Sequence, residues 1–274
     1  MSEAGQAVRR PAVAATAGFG GGFVSGLLGG GGGSIMIPFL TGPMGMPQHM
    51  AHGTSLVVIT SAAGAAAIVY GLHEPISAVL VASLGAGAIG GAFLGARGAA
   101  RIPALQLRQL FGLFLIAVSL RLLIWDSVEP WFDANGWQEP LAGATLGLAG
   151  GVMSGALGVG GGSIFVPGLV LGLGIGQHEA QGISLWVVVI ASVMGGLTHY
   201  RQGTVDTEAA KWLAPAALPG ALAGAVAAAF MGGRTLQVVF AVLLIAIGVQ
   251  MLATARRRMR NDRLARLALA AEAA

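Results

Sequence analysis

The chain is built from long apolar runs separated by short polar stretches. Six of these runs are about twenty residues long, at residues 50–70, 76–96, 105–124, 180–200, 207–230 and 236–253. A helix of roughly 17–25 apolar residues crosses the hydrocarbon core of a bilayer. The pattern therefore predicts an all-α integral membrane protein in which six runs are long enough to cross.

Four further apolar segments are shorter, and glycine interrupts each pair of them. In the first half, one run ends at Leu28 and a short piece follows at residues 35–46. In the second half, the corresponding segments are residues 141–157 and 164–174. Each short piece would span about 17 Å as a helix, which is roughly half of a ~30 Å hydrocarbon core. We expect half-helices at both places.

The two halves of the chain are copies of one unit. Sliding the sequence by 129 residues superimposes residues 25–56 on residues 154–185 without a gap, and 18 of these 32 positions are identical. The stretch SGLLGGGGGSIMIP at Ser25 becomes SGALGVGGGSIFVP at Ser154. A Gln-His pair and single prolines recur at the same offset, which a glycine-rich composition alone would not produce. We expect an N-terminal repeat at residues 1–124, a linker at 125–140, a C-terminal repeat at 141–253 and a basic tail at 254–274.

The distribution of Lys and Arg distinguishes two topologies. If each broken helix crosses the membrane, every half has four crossings, the halves are parallel, and eleven basic residues lie inside against four outside. If each broken helix is a re-entrant hairpin, the halves are inverted and the count is thirteen inside against two outside. Basic loops are retained in the cytoplasm. The inverted arrangement is therefore preferred, with both termini cytoplasmic.

Composition and charge agree with a membrane protein and argue against other classes. Only 9% of the residues are charged, whereas a soluble domain carries about a quarter. Much of the net charge of +4 comes from the tail segment RRRMRNDRLAR, which we expect to form a basic amphipathic helix on the cytoplasmic leaflet. The expected partner is thus the lipid bilayer and not nucleic acid. The absence of cysteine excludes disulfides and thiolate metal sites.

The glycine tracts at residues 29–33 and 158–162 predict a ligand site. Irregular backbone within a bilayer persists only where protein or a water-filled cavity satisfies its polar groups. The free N–H groups and positive dipole at the start of each half-helix could hold an anion without a buried Lys or Arg, as discontinuous helices do in transporters. A serine beside each tract could cap the half-helix. The candidate substrate-binding residues here are Gly30, Gly31, Gly32, Gly33, Ser34, Gly160, Gly161, Gly162 and Ser163.

Other glycines have a simpler explanation. Small residues at helix interfaces allow two helices to approach closely. This packing role accounts for Gly85, Gly87, Gly90, Gly91 and Gly95.

A second group of polar residues follows each short piece, and two interpretations of it stay open. An amide could donate to an oxygen of a bound anion, and an imidazole could protonate near neutral pH. Alternatively, the Gln-His pairs could cap the next helix, and the hydroxyls could bond to a carbonyl one turn earlier. The candidate substrate-binding residues of this group are Gln48, His49, Thr54, Ser55, Gln177, His178 and Ser184.

At these residues the sequence resembles the TauE/SafE family of sulfite-exporter-like permeases. The resemblance rests on the two glycine-tract-plus-proline motifs, on AHGTSL and AQGISL after them, and on GGAFLGAR and LRQLFGLFLIAVSLRLL. It covers residues 12–253. The resemblance implies export of sulfite or a small organosulfonate across the cytoplasmic membrane of a bacterium, without a cofactor.

The expected function is therefore export of a small sulfur-containing anion that binds at the membrane middle between the two breaks. The sequence has no carboxylate pair within an apolar run, no His-Glu-x-x-His motif and no nucleophile elbow, so an enzyme is not expected. The alternatives are a permease for another small anion, a cation or a neutral solute, and a non-transporting membrane scaffold. An oligomer is compatible with the sequence.

Overall fold

The computed structural model describes residues 11–30, 32–99, 104–124, 137–157 and 161–272, and its regular structure in these ranges is α-helical. The helices are α1 Pro11–Leu28, α2 Gly33–Thr41, α3 Gln48–His73, α4 Ala78–Ala99, α5 Ala104–Ile124, α6 Gln138–Leu157, α7 Gly162–Leu173, α8 Gln177–Arg201, α9 Thr207–Ala229 and α10 Gly233–Glu272. Six of them, α3, α4, α5, α8, α9 and α10, are long and apolar enough to cross a membrane. The prediction of an all-α, multi-pass membrane protein is confirmed.

Both short pieces are helices of less than full crossing length. Helix α2 has 9 residues and α7 has 12. Helix α2 ends at Thr41, earlier than the predicted end at residue 46. It ends there because a turn follows, in which the Gly42 N–H donates to the Pro38 carbonyl at 2.9 Å and Gly45 has a φ of +61°.

Two helix pairs pack backbone against backbone. In the pair α4 and α6, a Cβ at Gly87, Gly91 or Gly95 would overlap a carbonyl of the neighbouring helix, so the predicted packing role of these glycines is confirmed. A Cβ at Gly85 or Gly90 would meet, among the described residues of other helices, only one side-chain atom, at 3.9 Å. In the pair α1 and α9, the glycines that contact the facing backbone are Gly18, Gly22, Gly26, Gly220 and Gly224.

Contacts between helices fix their relative directions. Helices α3 and α8 are antiparallel: Thr60 donates to Ser192 at 2.9 Å near their centres, and Tyr70 near the end of α3 donates to Gln181 near the start of α8. Helices α1 and α9 are parallel, because residues later in α1 contact residues later in α9. The same holds for α4 and α6.

These directions show that the chain reverses at each short helix. The Asp206 N–H, just before α9, donates to Thr54 Oγ1 near the start of α3 at 2.9 Å, so α3 and α9 begin on the same side. Helix α1 is parallel to α9 and therefore also to α3. The chain must return through α2 to begin α3. By the same argument α4, α6 and α8 run together, and the chain returns through α7.

The buried apolar side chains form two clusters that meet at the end of α1. The first cluster includes Leu40 of α2 and Val58 of α3. The second includes Leu169 of α7 and Phe240 of α10. Leu27 packs against both clusters. The first glycine break, directly after α1, therefore lies where the two clusters join.

Helix α10 extends well beyond the membrane-spanning run. It continues for 40 residues, from Gly233 to Glu272, which corresponds to about 60 Å, or about twice the hydrocarbon thickness. The described part of the predicted tail is thus a continuation of α10 and not a separate helix. At its start, α10 holds the end of α5, because Arg234 donates to the carbonyls of Leu122 at 2.9 Å and Leu123 at 2.6 Å.

Candidate functional site

The two glycine breaks meet in a direct backbone contact. A Cβ at Gly162 would overlap the backbone of Gly30, with the Gly30 carbonyl carbon at only 2.6 Å. In the first break, Gly29 and Gly32 have φ values of +64° and +51°, a region that glycine adopts without strain. The contact therefore depends on the absence of side chains in both tracts.

A small cavity of about 30 Å³ lies at this contact. Its lining combines Gly30, Gly32 and Ser163 with apolar side chains from α1 and α10. Gly32 is the N-cap of α2, and Ser163 is the second residue of α7. The N-terminal ends of both short helices thus border one cavity, which has room for about one water molecule.

The first turn of α7, which contains Ser163, has hydrogen-bond donors without a partner in the helix. Both the Ile164 and Phe165 N–H groups donate to the Gly161 carbonyl at 2.9 Å. The N–H groups of Gly162 and Ser163 come before these and have no acceptor within the helix. The Ser163 side chain is 6% exposed, and its Oγ has no hydrogen-bond partner among the residues that the structure describes.

The expected capping role of the serines is wrong. The N-caps of α2 and α7 are Gly32 and Gly161, and neither helix has a side-chain cap. The reason is that each helix begins one residue before its serine, so the serine lies inside the first turn. In α7 this placement leaves the Ser163 hydroxyl available for another partner.

Two other predicted residues are buried in α8 without hydrogen-bond partners in the described part of the chain. Gln177 is 6% exposed and neither amide atom is bonded, and the fully buried Ser184 has an unbonded Oγ. With Gln181 between them, these side chains are spaced four and three residues apart and share one face of α8. A buried polar group without a partner is costly, so this face suits a polar ligand.

The remaining predicted polar side chains either contact a hydrogen-bond partner within the protein or are exposed. Thr54 accepts the Asp206 N–H, Ser55 donates to the His52 carbonyl at 2.9 Å, and the His178 ring lies 3.0 Å from the Ala228 carbonyl. Gln48 and His49 are exposed in the first turn of α3.

Gly33 faces Ile59 of α3. Gly31, Gly160 and the side chain of Ser34 lie outside the described residues.

Sequence reasoning missed three buried polar residues beside the first break. The Ser25 Oγ has no partner among the described atoms, and its Cβ lies 3.0 Å from the Cβ position of Gly32. Gln181 packs against Gly29, and Tyr70 donates to Gln181 Oε1 at 2.5 Å. A signal for Gln181 was present, because it replaces His52 of the first repeat while its neighbours stay the same.

A much larger groove of about 790 Å³ lies between α5, α6 and α7. Apolar side chains such as Phe114, Leu146 and Leu171 form most of its lining, and none of the described lining residues is charged. Thr145, one of its few polar residues, already donates to the Ala142 carbonyl at 3.0 Å. Such a lining suits an acyl chain better than an anion, so the small cavity is the better candidate for an anion site.

Comparison with known proteins identifies the family of this chain. The family model described as "Sulfite exporter TauE/SafE" matches residues 2–122 and 143–273, which together span nearly all of the sequence. The chain belongs to the TauE/SafE family. The resemblance in the glycine-tract motifs is thereby confirmed, and the protein is a membrane transporter of this family.

Relatives of this TauE/SafE transporter are bacterial. A "Probable membrane transporter protein" of Xylella fastidiosa (strain 9a5c) is 31% identical over 236 residues, which cover 83% of this chain and 89% of that protein. The "Probable membrane transporter protein YunE" of Bacillus subtilis (strain 168) is 26% identical over 256 residues, covering 84% and 93%. "Probable membrane transporter protein YdhB" of the same strain is 30% identical over 191 residues, covering 68% and 77%. These names give transport and no substrate.

No solved structure matches the chain significantly. Among the residues that the structure describes, no group of three or more His, Cys, Asp or Glu side chains could hold a metal ion. The chemistry available in the described site of this TauE/SafE transporter is therefore hydrogen bonding by backbone N–H groups, hydroxyls and amides.

Proposed function

We propose that this TauE/SafE transporter exports a small sulfur-containing anion, sulfite or an organosulfonate, across the cytoplasmic membrane of a bacterium. The anion binds where the two glycine breaks meet. The observation that carries this proposal is the Ser163 hydroxyl, which is buried and without a partner among the described residues, on a residue that lines the same cavity as Gly30 and Gly32.

The electrostatics of the cavity favour an anion. The N-terminus of a helix carries roughly half a positive charge, and the N-terminal ends of α2 and α7 border the same cavity. The described lining contains no acidic side chain to oppose this field and no Lys or Arg to add to it. A sulfite or sulfonate group offers several acceptor oxygens, which suits a site made of N–H and O–H donors.

The size of the cavity implies that the site opens by helix movement. At about 30 Å³ the cavity has room for about one water molecule. We therefore propose alternating access, in which one repeat rocks against the other around the contact of Gly30 and Gly162. Binding loosens that contact and brings the substrate among the donors on both sides.

We propose further that the two repeats are inverted in the membrane. Equivalent helices of the two halves pack antiparallel to one another, as the contact of Thr60 with Ser192 in α3 and α8 illustrates. The approach of Gly112 to Gly248 in α5 and α10 fits the same arrangement. With cytoplasmic termini, an inside-negative potential favours anion exit by about 2.3 kcal/mol per charge per 100 mV.

A ligand panel tests the substrate class. Purified protein in detergent is heated with sulfite, thiosulfate, taurine, sulfoacetate or chloride at equal ionic strength, and its melting temperature is recorded. Because a ligand that binds the folded state raises the melting temperature, we expect at least one sulfur anion to stabilise the protein more than chloride does. Equal shifts for all five salts would contradict the proposed substrate.

The panel and a current measurement also separate the alternatives. A non-transporting scaffold predicts that no ligand changes the melting temperature. Under a salt gradient with the potential held at zero, a cation permease predicts a current of the sign opposite to that of an anion permease, and a neutral-solute permease predicts no current. An anion exporter predicts that an inside-negative potential drives net anion movement outward.

A further inference from the structure

Gln181 is a fully buried amide whose hydrogen-bonding capacity is only half used. Its side chain is 0% exposed, and its Oε1 accepts a 2.5 Å hydrogen bond from the Tyr70 hydroxyl. Its Nε2 has no partner among the atoms that the structure describes. An amide NH₂ carries two donors, so both are left without an acceptor in a place that water does not reach.

Tyr70 fixes which way this amide points. The tyrosine hydroxyl has two acceptors within reach, Gln181 Oε1 at 2.5 Å and the Leu27 carbonyl at 3.4 Å, and the shorter contact is the stronger one. The carbonyl side of the amide therefore faces Tyr70, and the NH₂ group faces away from it. Tyr70 is itself 3% exposed, so its ring has little freedom to move.

The amide lies beside the first glycine break. A Cβ at Gly29 would come within 2.6 Å of the Gln181 Cβ and 2.7 Å of its Cα, so only a glycine lets α8 approach this closely. Gly29 has a positive φ and is directly followed by Gly30, which lines the cavity. The base of the Gln181 side chain thus packs on the segment that forms the proposed anion site.

We infer that Gln181 is a specificity-determining residue of the proposed site, which donates its amide NH₂ to an oxygen of the bound anion, and that Tyr70 is the positioning residue that holds it. This inference rests on the proposed function. An anion with several oxygens can accept this donor together with the Ser163 hydroxyl and the N–H groups at the start of α7. Chloride is a single acceptor atom and gains less from a donor set arranged around it.

The two repeats have different residues at the position of Gln181. This difference argues that Gln181 does more than stabilise the fold that both repeats share. The residue equivalent to Gln181 is His52, although Gly53 and Ser55 after it match Gly182 and Ser184. The equivalent serines also differ, because Ser55 donates to the His52 carbonyl whereas Ser184 has no described partner. Of the buried groups without a described partner that are named above, Ser25 belongs to the first repeat, and Ser163, Gln177, Gln181 and Ser184 belong to the second.

The test combines three variants, Gln181→Met, Tyr70→Phe and the double variant, with Ser119→Ala as the control. Ser119 is fully buried like Gln181, but its hydroxyl is satisfied by the Leu115 carbonyl at 2.6 Å within α5. Dissociation constants for sulfite and for chloride are measured by titration of the purified proteins. The melting temperature without ligand is recorded for each variant.

We expect Gln181→Met to weaken sulfite binding by about 10- to 100-fold, the range for a hydrogen bond to a charged group, and to affect chloride less. Tyr70→Phe weakens sulfite binding in the same direction, but adds nothing in the Gln181→Met background, because it acts only through the amide. The double variant replaces both partners by apolar groups and melts at or above the wild-type temperature, which shows that the fold is intact.

Three outcomes show separately whether the role of Gln181, the role of Tyr70 or the proposed function itself is wrong. If wild type binds sulfite better than chloride but folded Gln181→Met and the double variant bind it equally well, the role of Gln181 is overturned and the proposed site stands. If Tyr70→Phe weakens binding equally with and without Gln181, its positioning role is wrong. If wild type does not prefer any sulfur anion, both the inference and the proposed function fail.

Discussion

Gly162 of the second repeat lies against the backbone of Gly30 in the first, so the two helix breaks form one contact. Adding a Cβ at residue 162 forces this contact apart. We expect Gly162→Ala to lower stability by roughly 1–3 kcal/mol, the usual cost of overpacking, and to reduce transport. Thermal melting in detergent and flux in proteoliposomes measure both effects.

Gly64→Ala is the matched control for that substitution. Gly64 lies inside α3, and no atom of another described part of the chain lies within 4 Å of its Cβ position, apart from the neighbouring backbone of α3 itself. Alanine is also the better helix former, so this variant should fold and transport as wild type does. If Gly162→Ala behaved like Gly64→Ala, the tight meeting of the breaks would be refuted.

Two neighbouring glycines in α4 test the backbone packing of α4 on α6. A Cβ at Gly91 would overlap the Leu148 carbonyl, whereas a Cβ at Gly90 would only touch the Leu148 Cδ1 at 3.9 Å. We expect Gly91→Ala to lower the free energy of unfolding by about 1–3 kcal/mol and Gly90→Ala to leave it unchanged or raised. Melting curves of the two variants provide the comparison, and equal melting temperatures would show that the helices do not pack this closely.

Membrane topology can be tested directly because the chain has no cysteine. His73→Cys and Gln202→Cys each introduce one exposed thiol, at the ends of α3 and α8 respectively. The inverted arrangement predicts that a membrane-impermeant maleimide labels residue 73 in intact cells and labels residue 202 only after permeabilisation. Labelling of both residues only after permeabilisation would instead support parallel repeats.

Much of the fold could be predicted from the sequence, because a helix that crosses a membrane must be apolar over most of its length. The lengths of the apolar runs identify the six helices that can cross, and the glycine tracts mark where α1 and α6 end. The packing glycines of α4 were also identifiable, since their spacing matches the helical repeat. In each case the signal lies within one short stretch of chain.

The details of the site could not be predicted in the same way. Whether Ser163 caps α7 or lies inside its first turn depends on a helix boundary that differs by one residue. Gln177, His178 and Gln181 are all polar residues at the start of α8, and the sequence does not distinguish their roles. Of the three, only His178 has a described backbone carbonyl as a partner, and that carbonyl belongs to α9. Contacts with neighbouring helices decide which polar groups remain without a hydrogen-bond partner. These contacts cannot be predicted from the sequence around each residue.

The Ser163 hydroxyl is the group most central to the proposed binding of the transported anion. Ser163→Ala removes one buried oxygen that has no described partner, so we expect it to fold as stably as wild type. The most direct measurement is the dependence of efflux on sulfite concentration in proteoliposomes carrying wild type, Ser163→Ala or Ser119→Ala. We expect about 10-fold or greater loss of sulfite affinity in Ser163→Ala and wild-type efflux in Ser119→Ala. Wild-type sulfite affinity and efflux in Ser163→Ala would contradict this proposal.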